Sequence, residues 1–303
     1  MATPPNSSSV IGISVSSAEL RAVTLDSNDT LTPGFTVNRE SGRSIGEQTK
    51  DICAKAGGTF AAAGLAIPGL IAIESARIVD SRIHDLIDLN LREEFGGLCG
   101  GNVVFENDVN AAAFAELKLG AGRGRRNIFC AFLGEGVGSG LILNSQIWHG
   151  SHGFAGEFGL IVVDDEGTRL EDIASAPNII RRTINRLHQD STSVLSRLGE
   201  DGVDLDAILA AANEGDDLAR LMLERTGFYV GSAIGTVMNL LDVGLIVLGG
   251  ELTKVGDVLL DAVVQRAKEC ALTLSFTATN IVVSELGDDA SAIGAALLAR
   301  GSS

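Results

Sequence analysis

The sequence predicts an α/β chain, and three observations carry that reading. Stretches of apolar alternation rich in β-branched residues recur between stretches of helical period along most of the chain. A length of 303 residues, 45% of them hydrophobic, supports a large core and suggests two lobes. Two segments, IGISVSSAELRAVTLD (11–26) and FCAFLGEGVGSGLILN (129–144), share the pattern strand, small-residue loop, strand, then Asp or Asn. Each lobe is therefore expected to open with the same hairpin, although small-residue hairpins also occur in unrelated proteins.

Taken in order, alternation places strands at 10–15 and 20–25, the first hairpin, and at 60–67. A helical period fills 44–56 between them and returns at 89–95. The short strand 103–105 runs into a helix over 109–119, and 128–133 and 141–143 form the second hairpin. A strand over 160–163 precedes helices at 170–187, 205–212 and 217–241. The buried strand at 245–248 follows, then a helix at 258–270, a strand at 281–284 and a closing helix at 290–299.

Composition narrows the function classes. The net charge is −16, from 39 acidic and 23 basic residues, and the one short basic run is GRGRR at 122–126, which argues against a nucleic-acid partner. The opening MATPPNSSS has neither a basic nor an apolar stretch of a signal peptide, so residues 1–9 read as a disordered tail and the protein as cytoplasmic. Charge or glycine interrupts every apolar helix before a span of about 20 residues, so no membrane segment is expected. Cys53, Cys99, Cys130 and Cys270 are scattered without a CxxC pair and read as free thiols.

Two motifs carry chemistry. NVVFE runs directly into NDVNAAAFAELKLGAG, which sets Glu106, Asn107 and Asp108 at the C-terminal end of a strand and the start of a helix, where ligand groups of open α/β sheets gather. Asp108 could there take a proton from a substrate hydroxyl; the competing reading is that Asn107 or Asp108 caps the helix. In LGEGVGSG (133–140), glycines at 134, 136, 138 and 140 read as a loop whose N–H groups approach an anion such as a phosphate. Glu135, in the middle of that loop, is at odds with it. His149 and His152 in WHGSHG, without carboxylate or cysteine neighbours in the sequence, read as loop residues.

FENDVNAAAFAELKLGAGRGRRN, the glycine loop, HGSHGFAGEFGLIVVDDEG and IVLGGEL, in that order, resemble the ROK (repressor, open reading frame, kinase) family over nearly the whole chain. The resemblance implies a two-lobed actin/hexokinase-like (ribonuclease H-like) α/β fold with a central cleft. It places an N-terminal lobe over 10–119, with the sugar site and first phosphate loop, and a C-terminal lobe over 120–303, with the final helix returning to the first. It makes Asp108 the general base for a sugar 6-hydroxyl, and Asn107, Glu157 and Glu171 the ligands of the remaining hydroxyls, with Pro68 and Gly69 lining the sugar site. It assigns Gly134, Gly136 and Gly138 to the second phosphate loop and Gly249 and Gly250 to the adenosine side. It also implies ATP and Mg²⁺ as cofactors if the chain is catalytic, and a homo-oligomer.

The departures from the family pattern matter as much. Family kinases carry an aspartate, two glycines and a threonine in the first phosphate loop; here the stretch reads Ser14, Val15, Ser16, Ser17, Ala18, so the carboxylate that helps organise Mg²⁺ is missing. Glu135 stands where a phosphate-contacting threonine is usual, and phosphoryl transfer rests on positioning and charge stabilisation. Leu160 replaces a histidine, and VVDDEGTRLED lacks the cysteines of the family's zinc motif, so no zinc is expected. Three readings follow. The first is a sugar-binding protein with degraded phosphate loops and weak or no catalysis, and the second a working ATP-dependent hexose or N-acylhexosamine kinase. A DNA-binding repressor is disfavoured, because the first strand begins by residue 10.

Overall fold

The computed structural model describes residues 9–72, 74–189 and 192–302, so the expectation for the tail falls, except for Ser9, outside the described residues. The chain forms two compact units. The first comprises residues 1–126, 140–156 and 285–303, and the second 127–139 and 157–284.

In the first unit the strands are β1 (Val10–Val15), β2 (Glu19–Leu25), β3 (Phe35–Asn38), β4 (Ala62–Ile67) and β7 (Val103–Asn107), in the order β3-β2-β1-β4-β7. The hairpin strands pair antiparallel and β1-β4-β7 run parallel, with Val10 opposite both Leu25 and Ala62. A small antiparallel pair, β5 (Leu70–Ala72) and β6 (Arg77–Asp80), follows β4. Alternation sends Ile11, Ile13, Leu20, Leu65 and Ile67 to one face, where they pack with Ile52 of α1 (Ile45–Lys55) and with Leu91 and Phe95 of α2 (Leu91–Phe95). The other face, Val10, Val23, Leu25 and Ala62, meets Ala292, Ala296 and Ala299 of the C-terminal helix.

That helix lies almost backbone to backbone on the sheet. A methyl group at Gly12 would come within 2.0 Å of the Ala292 carbonyl oxygen, and one at Gly64 within 1.9 Å of that of Ala295. The alanine-rich run ASAIGAALLAR is thus what lets the helix return to the first sheet and pack on α3 (Asp108–Leu119).

In the second unit β8 (Ile128–Leu133) lies between β9 (Val137–Leu143) and β11 (Leu245–Gly249), and β12 (Asn280–Val283) follows at the edge. Strands β8, β11 and β12 are parallel. From Gly140 onward, β9 and its partner β10 (Gln146–Ile147) belong to the first unit. Helices α4 (Glu171–Ala174), α5 (Ala176–Leu187), α6 (Leu205–Asn213), α7 (Asp217–Leu241), α8 (Asp257–Cys270) and α9 (Thr273–Ala278) complete the second unit, and α10 (Ala290–Ser302) is the returning helix of the first. Gly227, Gly231 and Gly235 form a stripe on α7 against which α8 packs closely, with Ala262, Val263 and Ala267 at the contact.

Three expectations change. The segment expected as a strand at 160–163 is a single 3₁₀ turn, Phe158–Leu160, with one isolated bridge between Val162 and Arg169; Leu160 and Val162 face solvent, so neither finds a covering layer. The helix expected over 170–187 breaks at Ser175, where ψ is 151° and Pro177 in the next turn has no N–H to continue the ladder. LGEGVGSG is mostly a hairpin: Val137 to Gly140 are already strand, and the bend is confined to Gly134–Gly136. The four cysteines are free thiols, two buried and two half-buried.

Candidate functional site

In the first unit the site begins where β7 hands over to α3. Asn107 caps the helix, its Oδ1 accepting from the backbone N–H groups of Val109 at 3.1 Å and Asn110 at 3.2 Å, while its Nδ2 donates to the Gly69 carbonyl at 3.0 Å. Capping and ligand placement therefore coexist in one residue. Gly69 has φ +134°, and a side chain there would come within 2.5 Å of the Asp80 carbonyl oxygen, so glycine is required at that turn. The Pro68 carbonyl accepts from Ser81 Oγ at 2.8 Å. Asn107, Asp108, Pro68 and Gly69 are thus gathered at one end of the first sheet.

Asp108 is half-buried, and burial pushes its carboxyl up to about 6 against the opposing effects of backbone N–H bonds from Val109 and its own residue and of the Arg82 charge. A carboxylate in that range is suited to taking a proton near neutral pH. Beside it, Glu106 Oε1 accepts from the Asn107 N–H at 2.9 Å and from Asn110 Nδ2 at 3.1 Å. Its Oε2 pairs with His149 Nε2 at 2.8 Å. This gives His149 the carboxylate neighbour that its own stretch of sequence lacks, and the bond to Glu106 raises the imidazole above its ordinary value of 6.5. Glu106, Asn107, Asn110 and His149 line one cavity of about 620 Å³, whose other walls include Ile71, Val103, Phe105 and Arg92.

The first hairpin tip, also in this unit, closes on itself. Ser16 Oγ accepts from the N–H groups of Ala18 at 3.3 Å and Glu19 at 3.0 Å, and the Ser16 N–H donates to the Glu19 carbonyl at 2.9 Å. Ser14 lies within β1, paired with Arg21 across the hairpin and with Ala66 of β4.

In the second unit Glu171 Oε2 accepts from the Val137 N–H at 3.1 Å, which ties the start of α4 to the start of β9. Glu157 is exposed and immediately precedes the 3₁₀ turn Phe158–Leu160. Gly134 is held from both sides: its N–H donates to the Gly136 carbonyl at 2.9 Å, and its carbonyl accepts from the Ala176 N–H at 2.8 Å. Glu135 is exposed at the tip. Gly134, Gly136 and Gly138 all have negative φ, so freedom to adopt a left-handed backbone is not what selects glycine there. Gly250, at φ +90°, follows β11, and a side chain there would meet the Leu133 carbonyl oxygen at 2.3 Å; one at Gly249 would strike the Phe132 ring at 2.6 Å. The glycine pair is what lets the turn after β11 lie against the end of β8.

Leu160, in place of the family histidine, is 48% exposed, and among the described residues no cluster of three or more His, Cys, Asp or Glu is placed to hold a metal ion. No described helix is long and apolar enough to cross a membrane.

Comparison with known proteins places the chain in a family. The family model of the ROK family matches residues 23–302. The chain is 32% identical over 248 residues to a glucokinase of Halalkalibacterium halodurans, covering 78% of this chain and 75% of that one. It is also 32% identical over 247 residues to the DNA-binding transcriptional dual regulator NagC of Escherichia coli, covering 77% of this chain and 59% of the regulator. Among solved structures, a ROK family glucokinase from Streptomyces griseus in complex with glucose and AMPPNP superposes with a TM-score of 0.85 at 26% identity, covering 97% of this chain and 99% of that one. The chain belongs to the ROK family and is a sugar kinase-like protein on the family's two-lobed, actin-like α/β fold.

Proposed function

We propose that this chain binds a hexose or its N-acyl derivative through Asn107, Asp108, Glu157 and Glu171, with Pro68 and Gly69 shaping the site, and that its transfer of phosphate from ATP is weak or lost. Side chains of this kind suit a polyhydroxylated ligand, because each carboxylate and the amide can share hydrogen bonds with several hydroxyls. The family resemblance matches Asn107, Asp108, Glu157 and Glu171 to sugar-contacting positions, with Leu160 standing where a sugar-contacting histidine is usual, and the glucokinase relatives point to the same ligand class.

The observation that carries the second half is the state of the hairpin tips. At the first, the Ser16 hydroxyl already occupies the N–H groups of Ala18 and Glu19, and the residues from Ser14 to Ala18 offer hydroxyls but no carboxylate. That donor set does not fit Mg²⁺, which is bound through carboxylates together with substrate phosphates. At the second, Glu135 puts an exposed carboxylate on the tip. With Leu160 exposed and no cysteine in the segment that follows, the purified protein is proposed to carry no zinc. The family resemblance extends the proposal to a cytoplasmic homo-oligomer.

A working kinase is the second reading, favoured by the Asp108 carboxyl near 6, where a base that accepts the 6-hydroxyl proton would lie. In that case ATP would supply the phosphoryl group and Mg²⁺ would offset the charge of its phosphates, with Gly134, Gly136 and Gly138 to hold the phosphates and Gly249 and Gly250 the adenosine. Calorimetric titration of ATP, with and without Mg²⁺ and sugar, separates the two. Sugar binding without nucleotide and no ATP heat is the expected result. Turnover at ordinary kinase rates of roughly 1–100 per second overturns the non-catalytic half.

A further inference from the structure

We infer that Glu106 and His149 form a positioning pair for the sugar-binding corner, holding the β7–α3 junction and the segment that leads to Glu157 in their binding geometry. The inference rests on the sugar-binding reading and deepens it, because neither residue belongs to the ligand set proposed above.

Glu106 is bonded through both of its carboxylate oxygens. Its two oxygens take three bonds, from the Asn107 N–H, Asn110 Nδ2 and His149 Nε2, at 2.9, 3.1 and 2.8 Å. The Asn107 N–H belongs to the residue whose amide reaches Gly69, and Asn110 lies one turn into the helix that begins with Asp108. The Glu106 side chain is only 12% exposed, so its charge needs a partner, and His149 is the cation that meets it. His149 lies two residues after β10, and its carbonyl accepts from the Ala155 N–H at 3.1 Å, which folds the loop 149–155 back on itself just before Glu157. One side-chain pair therefore links the strand end bearing Asn107 to the loop that ends at Glu157. Both members face the 620 Å³ cavity that Asn107 also lines.

A purely structural tether would be indifferent to pH across the neutral range, whereas this pair is not. Its bond to Glu106 raises His149 above 6.5, so the ionic form is complete below about 6.5 and is lost as pH rises through the raised value. Glu106 from β7 is the charge that faces His149; Arg92 from α2 lines the same cavity, and Asp108 begins the adjoining helix. Asp108 titrates on the acid side, near 6, and its carboxylate is the form that accepts a hydroxyl. Sugar affinity should therefore rise through about 6 and fall again on the alkaline side, with a different residue responsible for each limb.

The test uses the full-length protein, with D-glucose and N-acetyl-D-glucosamine as probes in calorimetry from pH 5 to 10, beside an NMR titration of the histidine ring protons without sugar. His149→Gln identifies the signal. In the wild type, that signal should titrate above 6.5 and move to lower pH in Glu106→Gln. The alkaline limb, a loss of about 5-fold in affinity as a charge-assisted bond weakens to a neutral one, should vanish in His149→Gln while the acid limb stays. A His149 that titrates at or below 6.5, or an alkaline limb unchanged in His149→Gln, overturns the inference and leaves the sugar-binding reading standing. A raised His149 in a protein that binds neither sugar, by contrast, removes the sugar-binding reading and the positioning role together.

Discussion

The two hairpins that open the two sheets occupy the same place in the strand order, β3-β2-β1-β4-β7 and β10-β9-β8-β11-β12, yet their tips are built on opposite principles. The first tip is satisfied by its own side chain, with Ser16 Oγ accepting from the N–H groups of Ala18 and Glu19. The second is held by backbone from outside: Gly134 accepts from Ala176, and the Gly249–Gly250 turn lies against Leu133. At one tip a side chain takes up the backbone donors, and at the other the backbone is braced by neighbouring segments while the exposed side chain is Glu135. On the proposed non-catalytic reading, a nucleotide would be disfavoured at the first tip because its donors are occupied and at the second because Glu135 would repel it.

The largest effect is expected from reversing both at once. Ser14→Asp supplies a carboxylate toward Mg²⁺, and Glu135→Thr removes the negative charge at the second tip. Together they should raise sugar phosphorylation over wild type by on the order of 100-fold, a magnitude typical of one well-placed electrostatic contact in a transition state. Adding Asp108→Ala should abolish the gain, as measured by coupled ADP release. If the double variant stays at wild-type rates, the tips are not what limits transfer.

A comparable effect in stability should come from Asp108. Raised from 3.8 to about 6, its carboxyl favours the protonated form in the folded state, so it contributes stability that is complete below pH 3.8 and lost as pH rises through about 6. At 1.36 kcal/mol per pH unit the displacement corresponds to about 3 kcal/mol. Asp108→Asn removes that burden but also a favourable charge from the first turn of α3, worth about 0.3–1 kcal/mol. A net gain of about 2 kcal/mol at pH 8, vanishing near pH 4, should appear in urea unfolding. Equal stability of the two proteins at pH 8 would mean that Asp108 is well solvated.

Glu157→Ala comes next, weakening sugar binding by roughly 1–3 kcal/mol as hydroxyl partners lose an acceptor. Calorimetry with glucose or N-acetylglucosamine measures it. Because Glu157 is exposed, its removal should leave the melting temperature within about 1 °C of wild type, as is usual for surface substitutions. A large drop in melting temperature would make Glu157 a structural residue instead.

How far these features were legible in the sequence depends on how local their causes are. Strands β1 and β8 and helix α7 could be read to the residue, because apolar alternation and an uninterrupted helical period are local signals. Strand β3 was not, since its four residues alternate only between partial burial and exposure, with none fully buried, and Pro33 and Gly34 precede it; nor was α9, which buries no residue at all. The β7–α3 corner was legible because a strand end followed at once by Asn and Asp is itself the motif. The Glu106–His149 pair was not, since its members lie 43 residues apart and meet only through the folding of the first unit. The packing role of the glycine stripe on α7 was equally hidden, because its partner α8 is a separate element.

The smallest effect should come from Ser16→Ala, and it bears most directly on the difference between the tips. Losing the hydroxyl leaves the N–H groups of Ala18 and Glu19 without their partner at a half-exposed turn, where water can replace it in part, so the cost should be about 1 kcal/mol in urea unfolding. The same change frees two backbone donors at the tip, which is what an anion requires. If occupied donors are the reason the first tip does not hold phosphate, Ser16→Ala should bind inorganic pyrophosphate or ATP more tightly than wild type despite being less stable, and the gain should be larger when Glu135→Thr is also present. A variant that loses stability without any gain in anion affinity would show that the Ser16 hydroxyl only braces the turn and does not keep an anion from the tip.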